Sequence, residues 1–257
     1  MAVVNLPQTF NAATYFVDRN LAEGRGRHVA IECGDERVTY AQVADGVNRF
    51  GNALGRLGVQ PEQRVALLLL DSPAFACSFF GAIKAGAVPV PLNTLWKAAD
   101  YQYALADSGA RAVVVSAALT GVFSQIDRRA LPRLEHVIVA GGDPGPHLSY
   151  DDLLAGASAA LEPAMTHRDG MAFWLYSSGS TGSPKGCVHL QHDMVVCAES
   201  YAKGVLGMRE DDRIFSAAKL FFAYGLGNAL YMPLAVGATS ILLPDPPAAP
   251  RVYDIIE

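Results

Sequence analysis

The amino-acid sequence predicts an α/β fold in which parallel sheets are flanked by helices. Segments typical of strands and helices alternate almost throughout the chain, and the strand segments are continuous apolar runs such as 64–70 and 112–115. Uninterrupted apolar strands are typical of parallel sheets, because helices cover both faces of each strand. Hydrophobic residues make up 51% of the 257 positions, so the chain can supply the large core that such a fold needs.

The first half of the chain shows the clearest alternation. Thr39 is suited to cap the N-terminus of a helix, because apolar residues follow it at helical spacing. Those apolar positions are Val43, Val47, Phe50, Leu54 and Leu57. Beyond this helix we predict strands at 64–70, 87–92, 112–115 and 136–139, helices at 73–84 and 97–106, and another helix before the last of these strands.

Two turn-rich breaks, at 141–146 and at about 161–170, interrupt this pattern. We therefore predict a first α/β subdomain at residues 1–165 and the start of a second, incomplete one at 166–257. In the second we predict strands at 171–175, 214–217 and 239–243, and helices near 194–201 and from about 226.

The last residues read as a helix that begins and is not completed. Pro250 suits the first turn of a helix, and Val252, Ile255 and Ile256 would form its apolar face. No C-cap or final strand follows before Glu257. The expectation from this pattern is a truncated protein.

Composition argues against several classes of partner. The net charge is −5 and no basic stripe is present, so we expect no nucleic acid partner. The N-terminus lacks a secretory pattern and no apolar stretch has the length of a membrane span, so we expect a cytoplasmic protein without a membrane partner. The four cysteines, Cys33, Cys77, Cys187 and Cys197, are then expected to be reduced and mostly buried.

The segment 176–186 is the most informative part of the sequence. It reads Tyr-Ser-Ser-Gly-Ser-Thr-Gly-Ser-Pro-Lys-Gly and follows an apolar run at 171–175. Glycines let backbone N–H groups converge on an anion, hydroxyls add donors, and Lys185 adds a positive charge. The residues therefore predict a phosphate-binding loop. Because Lys185 is flanked by Pro184 and Gly186, the loop is not a Walker A motif.

The order Ser-Ser-Gly-Ser-Thr-Gly-x-Pro-Lys-Gly resembles the signature loop of the adenylate-forming enzymes. These are acyl- and aryl-CoA ligases, luciferases and the adenylation domains of peptide synthetases. The resemblance implies that the loop wraps the β- and γ-phosphates of ATP, that Thr181 helps to hold Mg²⁺, and that Lys185 offsets phosphate charge. The loop residues concerned are Ser177, Ser178, Gly179, Ser180, Thr181 and Gly182.

A second motif, at 219–228, reads Lys-Leu-Phe-Phe-Ala-Tyr-Gly-Leu-Gly-Asn and lies between a predicted strand and a predicted helix. Aromatic rings and glycines at such a corner suit a flat apolar ligand, although the same residues also suit a core and a turn. The residue order of this segment closely resembles the acid-pocket motif of benzoate- and hydroxybenzoate-CoA ligases. The resemblance implies an aryl pocket with Tyr224 beside the ring. From the sequence alone we favour a structural role for Lys219. The implied pocket residues are Phe222, Ala223, Tyr224 and Gly225.

Segments 38–43 and 80–93 also resemble these ligases, so the resemblance covers essentially the whole chain. It implies a two-step reaction in which a small aromatic carboxylic acid and ATP form an acyl-adenylate and pyrophosphate, and coenzyme A then displaces AMP. Lys185 and Thr181 would be the catalytic residues. The resemblance leaves a homodimer open.

Family members are about twice as long as this chain. Their Thr-Glu motif, ribose-binding aspartate, hinge and small C-terminal domain with a catalytic lysine cannot be located here. We therefore expect this polypeptide to be an inactive N-terminal part of a longer ligase.

Three alternatives remain at this stage. The acid could be aliphatic or an amino acid, the acceptor thiol could belong to a carrier protein, and the chain could be a nucleotide-binding half-protein without catalysis. His189 and His192 have a spacing that would let them share a metal on a helix, but no third ligand is evident. The favoured interpretation places His189 near the phosphate loop.

Overall fold

The computed structural model describes residues 4–177 and 182–256, and within them the strands form three sheets. The strands are β1 Val29–Cys33, β2 Glu36–Thr39, β3 Arg64–Leu68, β4 Val88–Pro91, β5 Ala112–Ser116, β6 His136–Ala140, β7 Leu148–Ser149, β8 Met171–Ser177, β9 Lys185–Leu190, β10 Arg213–Phe215 and β11 Thr239–Leu242.

Three long helices lie where the sequence predicted them, at Tyr40–Arg56, Pro73–Lys84 and Ala98–Ser108, whereas the short helices at Arg19–Ala22 and Tyr150–Ala155 were not predicted. The α-helices are α1 Arg19–Ala22, α2 Tyr40–Arg56, α3 Pro73–Lys84, α4 Ala98–Ser108, α5 Thr120–Phe123, α6 Tyr150–Ala155, α7 Asp193–Cys197, α8 Ala223–Leu226, α9 Met232–Val236 and α10 Ala249–Ile256. Wider π-type turns at Thr14–Asp18, Ala198–Lys203 and Gly227–Tyr231 continue into or between these helices, and 3₁₀ turns lie at Arg25–Arg27, Ala117–Leu119 and Arg128–Ala130. In the described ranges, no helix is both long and apolar enough to cross a bilayer.

Thr39 caps α2 as the sequence predicted. Its hydroxyl accepts a hydrogen bond from the Gln42 backbone N–H at 3.3 Å, and the Gln42 side chain accepts one from the Thr39 N–H at 2.8 Å. This reciprocal capping box satisfies two N–H groups that a helix end would otherwise leave without partners.

The first sheet has five parallel strands in the order β4-β3-β5-β6-β7. Every residue of β5 is buried, which explains its unbroken run of alanine and valine. Leu67 and Val114 on one face share a core with α2 and α3, while Leu68 and Val113 on the other pack with α4. The predicted parallel sheet with both faces covered is confirmed.

Helices α2 and α3 approach each other closely because glycines line their contact. A Cβ atom on Gly81 would lie 2.7 Å from the Val47 carbonyl oxygen, and one on Gly46 would lie 2.5 Å from the Cys77 sulfur. Larger side chains here would separate the helices and loosen the core beneath them.

The second sheet has the order β10-β11-β1-β2. Strand β1 pairs in parallel with β11, with Ile31 opposite Ser240, and antiparallel with β2. This sheet takes strands from both sides of residue 165. The proposed subdomain division at that residue stays a prediction.

Strands β8 and β9 form the third sheet, an antiparallel hairpin. The strand predicted at 171–175 is present and extends to Ser177, but its partner is the segment that follows the loop. The chain reverses within the few residues of the loop, and strands joined by so short a connection can pair only antiparallel.

The cysteines differ from the expectation that most would be buried. Only Cys77 is buried, Cys33 and Cys197 are half-buried, and Cys187 is exposed. Burial raises the pKa of the Cys77 thiol to about 12, so this thiol stays protonated.

Candidate functional site

The two ends of the predicted phosphate loop are held together by the hairpin. Ser177 ends β8, Lys185 begins β9, and the two are paired in register. Both are exposed, and Gly182 between them has a φ of 118°, a region that favours glycine. The remaining loop residues predicted to bind phosphate or Mg²⁺ lie outside the described residues, and they are Ser178, Gly179, Ser180 and Thr181.

One face of this hairpin connects the loop to the interior. Side chains alternate between the faces of a strand, so Phe173 and Leu175 lie on the same face as Ser177. The Ser177 hydroxyl lies 3.7 Å from the Cys187 sulfur, and the Phe173 and His189 rings stack with centroids 4.5 Å apart. The face therefore extends roughly 13 Å from the loop end to Phe173, at about 3.3 Å per residue.

The opposite face of the hairpin anchors it to α4 and to Trp96 just before that helix. The Tyr176 hydroxyl lies 2.7 Å from an Asp107 carboxylate oxygen and 3.1 Å from the Ala104 carbonyl oxygen, and its ring meets Trp96 edge-on at 6.1 Å. Burial and the neighbouring Asp107 raise the pKa of Tyr176, so its hydroxyl remains a donor. These contacts fix the hairpin beneath the loop.

The predicted acid-pocket motif forms a tight corner that begins α8. A Cβ atom on Gly225 would lie 2.1 Å from the Lys219 carbonyl oxygen and 2.3 Å from that of Ala218, so the corner requires glycine. Phe221 is buried, whereas Phe222 is 49% exposed and Tyr224 is 69% exposed. The motif therefore combines a buried anchor with two accessible rings.

A buried ion pair supports this corner. Lys219 Nζ lies 3.2 Å from an Asp71 carboxylate oxygen, and the two side chains are 12% and 5% exposed. The other Asp71 oxygen accepts a hydrogen bond from the Leu220 N–H at 3.1 Å. Burial raises the pKa of Asp71 above its usual range, although the charge of Lys219 opposes this effect.

Lys219 also donates to backbone carbonyls at the end of β11, those of Leu243 and, at 3.4 and 3.2 Å, of Pro244 and Asp245. The contacts agree with the structural role that the sequence suggested for it. Asp71 was missed, although a carboxylate directly after the apolar strand at 64–70 was a signal that could have identified it.

A cavity of about 390 Å³ lies between the hairpin and the corner. The hairpin lines it with Phe173, Leu175 and His189, and the helical segments add Cys197, Ala223 and Tyr231 among others. Of the four residues predicted for the aryl pocket, Ala223 lies in this wall, while Phe222, Tyr224 and Gly225 do not. The sequence had placed His189 near the loop, but Phe173 and Leu175 were missed as wall residues because only the fold reveals that they face the motif.

The helical metal pair considered for His189 and His192 is wrong. His189 lies on β9 and His192 in the turn before α7. Each is within ion-pair distance of the Asp193 carboxylate, at 3.6 and 3.2 Å. Across the described ranges, no three histidine, cysteine or acidic side chains cluster as a metal site would require. The aromatic stack on Phe173 and the Asp193 contact account for His189.

Comparisons with known proteins point to one family. The AMP-binding enzyme family matches residues 18–257. The chain is 47% identical to a benzoate–CoA ligase of Thauera aromatica, over 98% of this chain and 47% of the relative. It is 46% identical to a 4-hydroxybenzoate–CoA/benzoate–CoA ligase of Rhodopseudomonas palustris, over 96% of this chain and 46% of that protein.

Solved structures agree with these sequence matches. An anthranilate CoA ligase in complex with anthranoyl-AMP superposes with a TM-score of 0.92 at 40% identity, covering 98% of this chain and 48% of that one. A benzoate CoA ligase from Burkholderia xenovorans LB400 gives 0.87 at 42% identity, covering 96% and 48%. The chain thus spans about half the length of the relatives that it matches.

Proposed function

The chain belongs to the AMP-binding enzyme family, and on this premise we propose that the protein containing it is an aryl-CoA ligase for benzoate or a hydroxybenzoate. In the first step, a carboxylate oxygen attacks the α-phosphorus of ATP, and the bond to pyrophosphate breaks. In the second step, the thiol of coenzyme A attacks the acyl carbon, AMP leaves with the bonding electrons, and the thiol proton passes to solvent.

The observation that carries this proposal is the shared face of the hairpin. One end holds Ser177 and Lys185 at the loop, and the other end forms a wall of the apolar cavity. Apolar cavities with a few polar groups are typical of sites for small molecules. An aromatic acid bound in the cavity would direct its carboxylate along the hairpin toward a nucleotide held at the loop.

The chemistry brings an anion to a polyanion, so positioning and charge neutralisation supply most of the catalysis. Lys185 is exposed at the loop end and, among the described residues, makes no ion pair, which leaves its charge available to phosphate oxygens. We assign the loop hydroxyls and N–H groups to the β- and γ-phosphates, Thr181 to Mg²⁺, and Ala223 and its neighbours to the ring.

The test is ATP–pyrophosphate exchange by the complete gene product that contains this chain, with benzoate, 4-hydroxybenzoate, acetate and octanoate as substrates. Benzoate or 4-hydroxybenzoate should exceed both aliphatic acids by more than about tenfold. Equal rates for all four acids would contradict the aryl assignment, and exchange with none would contradict the ligase assignment.

The 257-residue chain by itself should be inactive or nearly so in the same assay, because it spans about half of its relatives. Efficient formation of a CoA thioester by this chain alone would show that expectation to be wrong.

A further inference from the structure

The corner at residues 219–225 is a turn that closes on itself. The Phe222 N–H donates a hydrogen bond to the Lys219 carbonyl oxygen at 3.0 Å, and a Cβ atom on Gly225 would lie 2.1 Å from the same oxygen. Backbone segments packed this closely leave little room for bending, so a displacement at one end is transmitted to the other. A shift of Lys219 would therefore also move Ala223, which lines the cavity.

The corner is tied to the rest of the chain through Lys219 and Leu220. One Asp71 carboxylate oxygen accepts the Leu220 N–H, and the other faces Lys219 Nζ, which also donates to the carbonyls after β11. Apart from backbone bonds within helical turns, all hydrogen bonds and ion pairs between this corner and other parts of the described chain involve these two residues. The position of the corner therefore depends on Asp71.

Asp71 itself stands on a firm support. It follows the apolar run at 64–70 that contains β3, and α3 begins two residues later at Pro73. Both elements contribute side chains to the main core, and Asp71 is only 3% exposed. A side chain held by packed neighbours keeps one orientation, which suits a residue that must hold another part of a site in place.

The phosphate loop is held by different contacts. The hairpin that carries it rests on α4, where the Tyr176 hydroxyl lies 2.7 Å from an Asp107 carboxylate oxygen. The side-chain hydrogen bond and ion pair of Asp71 within the described ranges reach the corner and not the hairpin. A change at Asp71 should therefore alter the acid site and spare the nucleotide site.

From this arrangement we propose that Asp71 is a positioning residue for the aromatic acid. Acting through Lys219 and Leu220, it sets the separation between the corner and the hairpin, and with it the width of the cavity that receives the ring. The inference rests on the proposed function and deepens it. A displacement of about 1 Å in a binding surface can slow a reaction on the order of 100-fold, so a residue outside the cavity can control the reaction within it.

The test is Asp71→Asn in the complete gene product, assayed by ATP–pyrophosphate exchange with benzoate or 4-hydroxybenzoate, whichever the unchanged protein uses better. Asparagine keeps an oxygen that can accept the Leu220 N–H and removes the charge that faces Lys219. We expect KM for the acid to rise about tenfold or more, and KM for ATP to change by less than about twofold. Because KM does not depend on the fraction of enzyme that is folded, lost stability alone would not produce this difference.

Asp18→Asn is the matched control, because it removes another largely buried pair of the same kind. Asp18 Oδ1 lies 2.6 Å from Lys84 Nζ, and the two side chains are 32% and 4% exposed. Lys84 ends α3 and Asp71 lies just before its first residue, so the two pairs are about 16 Å apart along that helix at 1.5 Å per residue. Asp18→Asn should leave both KM values unchanged.

An unchanged KM for the acid in Asp71→Asn would overturn the inference, as would an equal rise in KM for ATP or an equal rise in Asp18→Asn. If Asp71→Asn does not fold, Asp71→Glu replaces it, since glutamate keeps the charge but displaces it by one methylene group. The same selective rise in KM for the acid is expected of that variant, and its absence would again count against the inference. Exchange by the unchanged protein with no aromatic acid would instead contradict the proposed function.

Discussion

The five-stranded sheet and the hairpin that carries the candidate site differ in how burial shaped their sequences. All of β5 is buried, whereas no residue of β9 is. In the sheet, the apolar side chains of the strands pack into the core, and helices cover both faces. In the hairpin, one face packs against α4, and the other runs from the exposed loop end at Ser177 to the buried Phe173 at the cavity. The buried core of the sheet and the candidate site therefore occupy different regions, and the Asp71–Lys219 pair is one contact that joins the end of β3 to the corner of the site.

The largest effect should follow from breaking that contact. Lys219→Met leaves Asp71 buried without its cation, and we expect the free energy of unfolding at neutral pH to fall by about 3–5 kcal/mol. Asp71→Asn should lower the free energy of unfolding by a smaller amount, because Lys219 keeps backbone carbonyls as hydrogen-bond acceptors. Chemical denaturation of both variants and of the double variant measures these differences.

The pH dependence of Lys219→Met sharpens this test. Burial holds the pKa of Asp71 above its usual value of 3.8, and loss of the lysine charge removes the effect that opposed it. Above that usual value the folded variant binds more protons than the unfolded chain, so its stability should fall as pH rises. The free energy of unfolding of Lys219→Met should therefore differ least from that of the original protein at acidic pH. A difference independent of pH would show that Asp71 does not carry the buried charge.

The next comparison separates stability from activity. Leu67→Ala removes a fully buried side chain from the sheet and should lower the free energy of unfolding by about 2–5 kcal/mol. Lys185→Met, at the exposed loop end, should change stability by less than about 0.5 kcal/mol. In the complete gene product it should slow adenylation by about 100-fold. Denaturation curves measure the change in stability, and pyrophosphate exchange measures the change in activity. A large loss of stability in Lys185→Met would contradict the separation of stability from activity.

The smallest effects concern two glycines in different settings. Gly225→Ala places a methyl group against the Lys219 carbonyl, so we expect the free energy of unfolding to fall by about 1–3 kcal/mol. Gly55→Ala, on the exposed side of α2 where nothing lies within 4 Å, should instead stabilise by about 0.5–1 kcal/mol. Opposite signs in thermal unfolding would confirm that the corner, rather than glycine content, sets the sensitivity.

Much of the fold could be predicted from local patterns. Helix α3 at Pro73–Lys84 was located at its observed bounds, because a first-turn proline and apolar spacing mark it. Strand β8 was also recognised, but its antiparallel partner was not, since β9 has few buried positions to reveal it.

The candidate site was predicted less completely. Motif order identified Lys185 and Ala223, whereas Phe173 and Tyr231 entered the site only through the packing of hairpin and helices. Their individual positions carry no periodic signal that distinguishes a cavity wall from a core. Asp71 was recoverable in principle as a charge at the end of an apolar strand, but its partner 148 positions further along the chain was not.

The pairing of β1 with β11 has a consequence for how the protein is made. Ile31 pairs with Ser240, which lies roughly 200 residues further along the chain. During synthesis β1 can therefore pair with β11 only after those residues have been added. At ordinary translation rates β1 remains without its parallel neighbour for on the order of 10–40 s. Over that interval its free edge can join another chain, and nascent or prematurely terminated products should depend on chaperones to avoid aggregation.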